Sequence, residues 1–158
     1  MSLIVDVTAD GIRTPLARAR IRDLALGVLR AERVRDALVS IALVSPQHIA
    51  RLNRAHLGHS GPTDVISFAL TNPPGASARP VIVGDIYIAP DVARANAERL
   101  RGSVRLEVAR LVVHGTLHVL GHDHPDGDER TSSAMWRRQE RLLAKLLDGS
   151  TPPAKRVR

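Results

Sequence analysis

The chain has 158 residues and a mass of 17.1 kDa, 44% apolar and 25% charged, which suits one compact domain with its own core and is too short for two. It has no cysteine, which excludes disulfides, thiolate nucleophiles and every cysteine-based zinc or iron–sulfur site, and points to a cytoplasmic setting. The formal charge is +7, and all but Lys145 and Lys155 of the 23 basic residues are arginine, the side chain whose planar fork best grips phosphate, so a polyanionic partner is expected. Codon usage also produces arginine-rich chains, so charge alone decides nothing. No apolar run approaches the ~18 residues of a membrane span, and Asp6 and Asp10 stand where a signal peptide is basic and then greasy, so neither secretion nor membrane insertion is expected.

Leu3 to Val7 alternates as a short strand, and Thr14-Pro15 is expected to open a helix to about Arg30, with Pro in its first turn. Val39 to Val44 is a second strand. Ser45-Pro46 caps a helix through about Leu57, and Gly58 to Pro62 forms a loop. Asp64 to Leu70 reads as a strand, with Val65, Ser67 and Ala69 facing opposite to Ile66, Phe68 and Leu70. Thr71 to Pro80, with three prolines and a glycine, is a loop, and strand pattern resumes over Val81 to Ile88. A helix follows from Asp91 to about Arg101. Ser103 then caps a helix over Val104 to Leu120 that is apolar on most sides, hence central, and Gly121 ends it. The last helix is expected from about Glu129 to Leu147, with Met135, Leu142, Leu143 and Leu146 on one stripe and Gly149 as its stop. The remainder carries two prolines and the basic Lys155, Arg156 and Arg158, and residues 149–158 are expected to be a disordered basic tail. Four strands among helices make an α+β or mixed sheet-and-helix domain.

Four of the seven histidines fall in His114-Gly115-Thr116-Leu117-His118-Val119-Leu120-Gly121-His122-Asp123-His124. His114 and His118 are i and i+4 on a helix, so their imidazoles project from one face, one turn apart. Gly121 can take the left-handed conformation that ends a helix, letting a third imidazole, from His122 or His124, fold back toward them. Three neutral imidazoles with an open fourth position describe catalytic zinc, whereas a fourth ligand such as His122 or Asp123 would close a structural site. The spacing His-x3-His-x2-Gly-x2-His matches the metzincin pattern through His124, which makes His124 the better third ligand. The Glu that follows the first His in those proteases is Gly115 here, so the usual base for peptide hydrolysis is missing and a metalloprotease is disfavoured.

The block from His114 to His124 resembles the HGxLHLxGYDH signature of the YbeY-type metal-dependent endoribonucleases, a family of bacterial rRNA maturation factors. Pro62-Thr63-Asp64-Val65-Ile66-Ser67-Phe68 is similar to that family's PTDVLSF, and Gly84-Asp85-Ile86 to its GDI. Leu52-Asn53, Met135 and Gln139-Glu140 also fall where the family has such residues, so the likeness spans roughly Val39 to Leu147. The resemblance implies an α+β fold with a small mixed four-stranded sheet and about five surrounding helices, a zincin-like single domain over residues 1–148. It implies one Zn2+ per chain on His114, His118 and His124. It further implies a single-strand-specific endoribonuclease of the cytoplasm that acts in rRNA processing, 16S rRNA 3′-end maturation in particular, and in ribosome assembly. Its partners would be rRNA and the small ribosomal subunit, with no membrane and no DNA. Two departures stand out: His122 where the family usually has Tyr, and Leu57 where it usually has an Arg thought to serve RNA handling or catalysis. Leu57 favours the alternative of a metal-stabilised, non-catalytic RNA- or ribosome-binding assembly factor.

A three-histidine zinc lowers the pKa of bound water from 15.7 to about 7 and polarises a phosphoryl oxygen, which suits phosphodiester cleavage. Metal-bound water is thus the expected nucleophile, with a neighbouring ribose 2′-OH the other choice, and no side chain is assigned as catalytic. His56, His59, His122, Asp123 and Asp126 are candidate bases by proximity, Asp123 a candidate to orient the ligands, and His48 a solvated residue. Asp85, in an apolar strand, needs a hydrogen-bond partner or a place in the cleft. With Phe68, Tyr87 and Trp136 as the only aromatics, base stacking is a poor means of holding RNA, which leaves shape and phosphate charge. Arg13, Arg18, Arg20 and Arg22, with Arg51 and Arg54, are the candidate phosphate contacts.

Overall fold

The computed structural model describes residues 2–70, 81–125 and 127–149. The expected loop over residues 71–80, Asp126 and the tail from Ser150 onward lie outside the described residues. Strands β1 (Leu3–Thr8), β2 (Ala37–Leu43), β3 (Val65–Leu70) and β4 (Ile82–Ile88) form one mixed sheet in the order β1-β2-β4-β3. β1, β2 and β4 are parallel and β3 runs antiparallel on the edge beside β4. Helix α1 (Arg18–Ala31) makes the crossover between the parallel β1 and β2, the connection such a pair requires. The α+β class and the four-stranded mixed sheet with five helices agree with the sequence expectation.

Alternation decides which face of each strand is buried. Val39, Ile41 and Leu43 of β2 and Ile86 and Ile88 of β4 point into the main core, where α1 and α4 (Val104–Val119) cover the sheet and α5 (Ala134–Gly149) packs on those two helices. Helix α4 is central: it packs on β3 and β4 and touches α1, α3 (Pro90–Arg99) and α5. Its run from Val108 to Leu117 is buried at every position except Arg110, the physical counterpart of its near-continuous apolar sequence. The opposite face is covered at the β3–β4 end by α2 (Pro46–Leu52), where Ile49 meets Ile66, Phe68 and Tyr87. Asp85 lies on that side and accepts a hydrogen bond from Ser40 Oγ at 2.7 Å, which satisfies its carboxylate away from the histidines.

Three boundaries differ from expectation. α1 begins at Arg18, because Thr14 Oγ donates to Leu16 O and accepts from Leu16 N, closing a local turn that keeps the chain before Arg18 extended. α2 is capped by Ser45, whose Oγ accepts from His48 N, but regular helix ends at Leu52 and a π-helical turn follows over Asn53–Leu57. The buried Asn53 explains the change. Its carbonyl accepts from Gly58 and His59, its amide donates to Gly61 O, and Gly58 closes the turn at φ +70. The final helix is broken into a 3-10 turn (Gly127–Ser132) and α5, with Ser133 Oγ donating to Arg130 O and accepting from Trp136 N.

Candidate metal centre

Helix α4 places His114 and His118 with ring centroids 4.5 Å apart. The helix closes when Gly121 adopts φ +99, with Gly121 N donating to His118 O and His122 N to Leu117 O. A side chain would be strained at that φ. The reversal brings the His124 ring to 5.1 Å from His114 and 5.0 Å from His118. One ring nitrogen from each of the three lies within 4.8 Å of the others, a set able to hold a metal ion.

Each ring is also aimed. His114 Nδ1–H donates to Gln139 Oε1 at 2.6 Å, His118 Nδ1–H to His122 O at 2.9 Å and His124 Nδ1–H to Pro125 O at 3.0 Å. All three acceptors are carbonyl oxygens, so Nδ1 carries the proton in each case and Nε2 keeps the lone pair a metal needs. Gln139 is itself held, donating from Nε2 to Glu140 Oε2, while Arg110 grips Glu140 through Nε and Nη2. Burial raises the Glu140 carboxyl, but the hydrogen bonds from Arg110 and Gln139 and the Arg110 charge together outweigh it and keep the group below its ordinary range.

Burial pushes His114 down to about 4, against the Gln139 hydrogen bond and with help from the charges of His118, Arg130 and His124. Burial also lowers His118, with the charge of His124 adding to it. Both rings are therefore neutral at neutral pH, the form that ligates. Three neutral imidazoles suit zinc, and nickel, copper and iron also accept such donors. In the metal-free protein the folded pKa of about 4 for His114 lies below the unfolded value of 6.5, so the unfolded chain binds the proton first. The neutral-pH stability is expected to be fully present above about pH 6.5 and to fall by on the order of 3 kcal/mol as pH drops toward 4. Urea midpoints of chelator-treated protein at neutral and acid pH check this, and a midpoint that stayed flat would contradict a buried neutral His114.

The triad opens on a cleft of about 480 Å3 whose lining also includes Leu57, Thr63, Asp64, Ser67 and Arg130. Ser67 Oγ donates to Gly115 O at 3.3 Å, tying the edge strand to α4 between the two helical histidines. Position 115 is where a metzincin carries Glu; here Gly115 lets α4 lie against Ile86, and a Cβ would come to 2.8 Å from Ile86 Cγ2.

The other candidates go elsewhere. His122 turns away from the triad, its Nε2 2.8 Å from Glu32 Oε1, and Arg138 holds the other Glu32 oxygen through Nε and Nη2. Although burial alone raises it, these hydrogen bonds keep the Glu32 carboxyl below its usual range. Asp123 accepts from the His124 backbone N at 2.9 Å and touches no imidazole of the triad through a hydrogen bond. His56 packs edge-on against Phe68 and His48 lies against Tyr87, while His59 is exposed with its N–H on Asn53 O. Among the described residues none of these three lines the cleft. Arg20 is half-buried in a groove between α1 and α5, and Arg51 and Arg54 are exposed on α2 and the turn after it. Sequence reasoning assigned no role to Gln139, Glu32 or Arg130. The pairing of Gln139 with the family pattern was its one available signal.

The family model for Endoribonuclease YbeY matches residues 9–147. Proteins named Endoribonuclease YbeY include one from Bacillus licheniformis, 40% identical over 152 residues, covering 90% of this chain and 94% of that protein. Another, from Thermobifida fusca, is 38% identical over 145 residues, covering 89% of this chain and 92% of its own. The solution structure of TM1509 from Thermotoga maritima shares the fold, with a TM-score of 0.59 at 23% identity over 92% of this chain and 91% of that one.

Proposed function

The chain belongs to the Endoribonuclease YbeY family, and from that footing we propose a zinc-dependent endoribonuclease that cuts single-stranded RNA and matures the 3′ end of 16S rRNA on the small ribosomal subunit. Residues 1–148 act as one catalytic domain in the cytoplasm, and no described helix is long and apolar enough to cross a membrane. His114, His118 and His124 are the ligands. The observation that carries the reading is three aimed imidazoles at the floor of an open cleft, because a site with three ligands and room beside them suits catalysis better than a closed structural centre.

A divalent metal held there supplies a Lewis acid for the phosphoryl oxygen and makes water a better nucleophile near neutral pH. The chain's own residues prepare for it. Gln139 and the His122 carbonyl fix the two helical rings, burial keeps them unprotonated, and Gly121 returns His124 to them. Phe68 and Tyr87 pack against each other on the sheet face away from the main core, which leaves RNA to be held by its phosphates.

Chelation is the direct test. Cleavage of a precursor 16S rRNA 3′-end fragment is expected to vanish on metal removal while the circular dichroism of the fold persists, and to return with zinc. Collapse of the fold on chelation, with no cleavage in any metal form, would instead identify a metal-stabilised assembly factor.

A further inference from the structure

The sequence pattern predicts the last helix from about Glu129, and the structure instead has a 3-10 turn over Gly127–Ser132 that carries one arginine into the cleft. Arg130 lines the cleft beside all three histidines and is half-buried. Its Nε is fully shielded and has no hydrogen-bond partner. Its side chain pairs with no carboxylate among the described residues. A guanidinium nitrogen stripped of water and left unpaired is costly, and an anionic ligand in the cleft would satisfy it. Its charge reaches the triad, since it is among the causes that lower both His114 and His118. Among the described residues that line this cleft it is the one arginine or lysine, and Leu57, which also lines it, offers no charge.

We propose that Arg130 is a catalytic residue of this chain, its guanidinium holding a non-bridging oxygen of the scissile phosphodiester next to the metal centre. The assignment rests on the endoribonuclease reading above. As a water oxygen bonds to phosphorus and gives up its proton to solvent, and the bond to the leaving ribose oxygen breaks, negative charge grows on the non-bridging oxygens, and the leaving oxygen takes a proton from solvent water. Arg130 meets that charge through a planar fork of hydrogen-bond donors and takes no part in the proton transfers. The carbonyl of Arg130 accepts from both N and Oγ of Ser133, so the backbone that carries the guanidinium is anchored to the start of α5.

The test uses the full chain loaded with zinc and a labelled single-stranded RNA from a precursor 16S rRNA 3′ end, with Arg130→Ala, Arg130→Met and Arg130→Lys beside the parent. Arg130→Ala and Arg130→Met are expected to lose about 10²–10³-fold in kcat with KM nearly unchanged and metal content still one per chain. Arg130→Lys should recover part of the loss, and methylguanidinium should partly rescue Arg130→Ala. Arg130→Met keeps the aliphatic stem, so it separates loss of charge from loss of packing. Cleavage by Arg130→Met within about threefold of the parent would overturn the assignment, as would a loss that tracked metal content and was no smaller in Arg130→Lys. A zinc-loaded parent that cut no RNA would overturn the endoribonuclease reading and this assignment with it, an outcome distinct from an active parent and an equally active variant.

Discussion

Replacing His118 with alanine is expected to lower RNA cleavage by about 10³-fold or more, roughly 4 kcal/mol of transition-state stabilisation, and to leave the purified protein without stoichiometric metal. The three rings form a nearly even triangle, with centroids 4.5, 5.0 and 5.1 Å apart, so removing His118 leaves only two imidazoles to hold the metal. His122→Ala is the informative control. Although it lies two residues from His124, its ring faces Glu32, and only its backbone carbonyl serves the site by accepting from His118. That carbonyl survives the substitution, so metal should stay near one per chain. Metal content by plasma mass spectrometry, together with cleavage by identically prepared proteins, checks both expectations. Metal loss from His122→Ala, or retention in His118→Ala, would move the ligand set.

Gly115→Glu, which restores the residue a metzincin has after its first histidine, is expected to destabilise the protein by more than about 4 kcal/mol and to yield no peptidase. Position 115 is buried between α4 and the sheet, where even a Cβ would stand 2.8 Å from Ile86 Cγ2 and 3.1 Å from Ser67 Oγ. Ile86 is wholly buried in β4, the strand between β2 and β3, and has no free volume to enter. A carboxylate there would be both too large and unpaired. Against a typical total of about 5–15 kcal/mol, such a loss leaves much of the chain unfolded. Gly115→Ala also has to displace the Ile86 methyl, but it brings no charge and gains helix propensity, so it should cost less than the glutamate. Thermal melts of the two variants separate the effects, and a Gly115→Glu protein melting near the parent would mean that α4 does not pack where it is placed.

These two experiments probe different levels of information. The histidine spacing was legible because a helix repeats every 3.6 residues: His114 and His118 share a face through local geometry alone, and Gly121 announces the reversal through its freedom at positive φ. Choosing His124 over His122 followed from spacing, and the structure places the His122 ring against Glu32, a partner 90 residues distant that no local rule could supply. The central place of α4 was equally legible, since a helix apolar on most sides has to be surrounded. The helix starts were less so. Thr14 folded its hydroxyl onto Leu16, and Asn53 bent the end of α2 into a π turn, each through side-chain bonds that compete with regular helix.

By itself, then, the chain's sequence determined the local devices of this protein: the strands and helices by periodicity, the caps at Ser45 and Ser103, and two imidazoles on one helical face with a glycine to return a third. Only the tertiary structure decided the strand order β1-β2-β4-β3, the seat of Gly115 on Ile86, the clasp of Gln139 on His114 and the entry of Arg130 into the cleft. The physical reason is range. Backbone propensity and side-chain period act over a few residues, whereas packing and hydrogen bonding join groups wherever the folded chain brings them together, here 25 residues apart for His114 and Gln139 and 48 for Ser67 and Gly115.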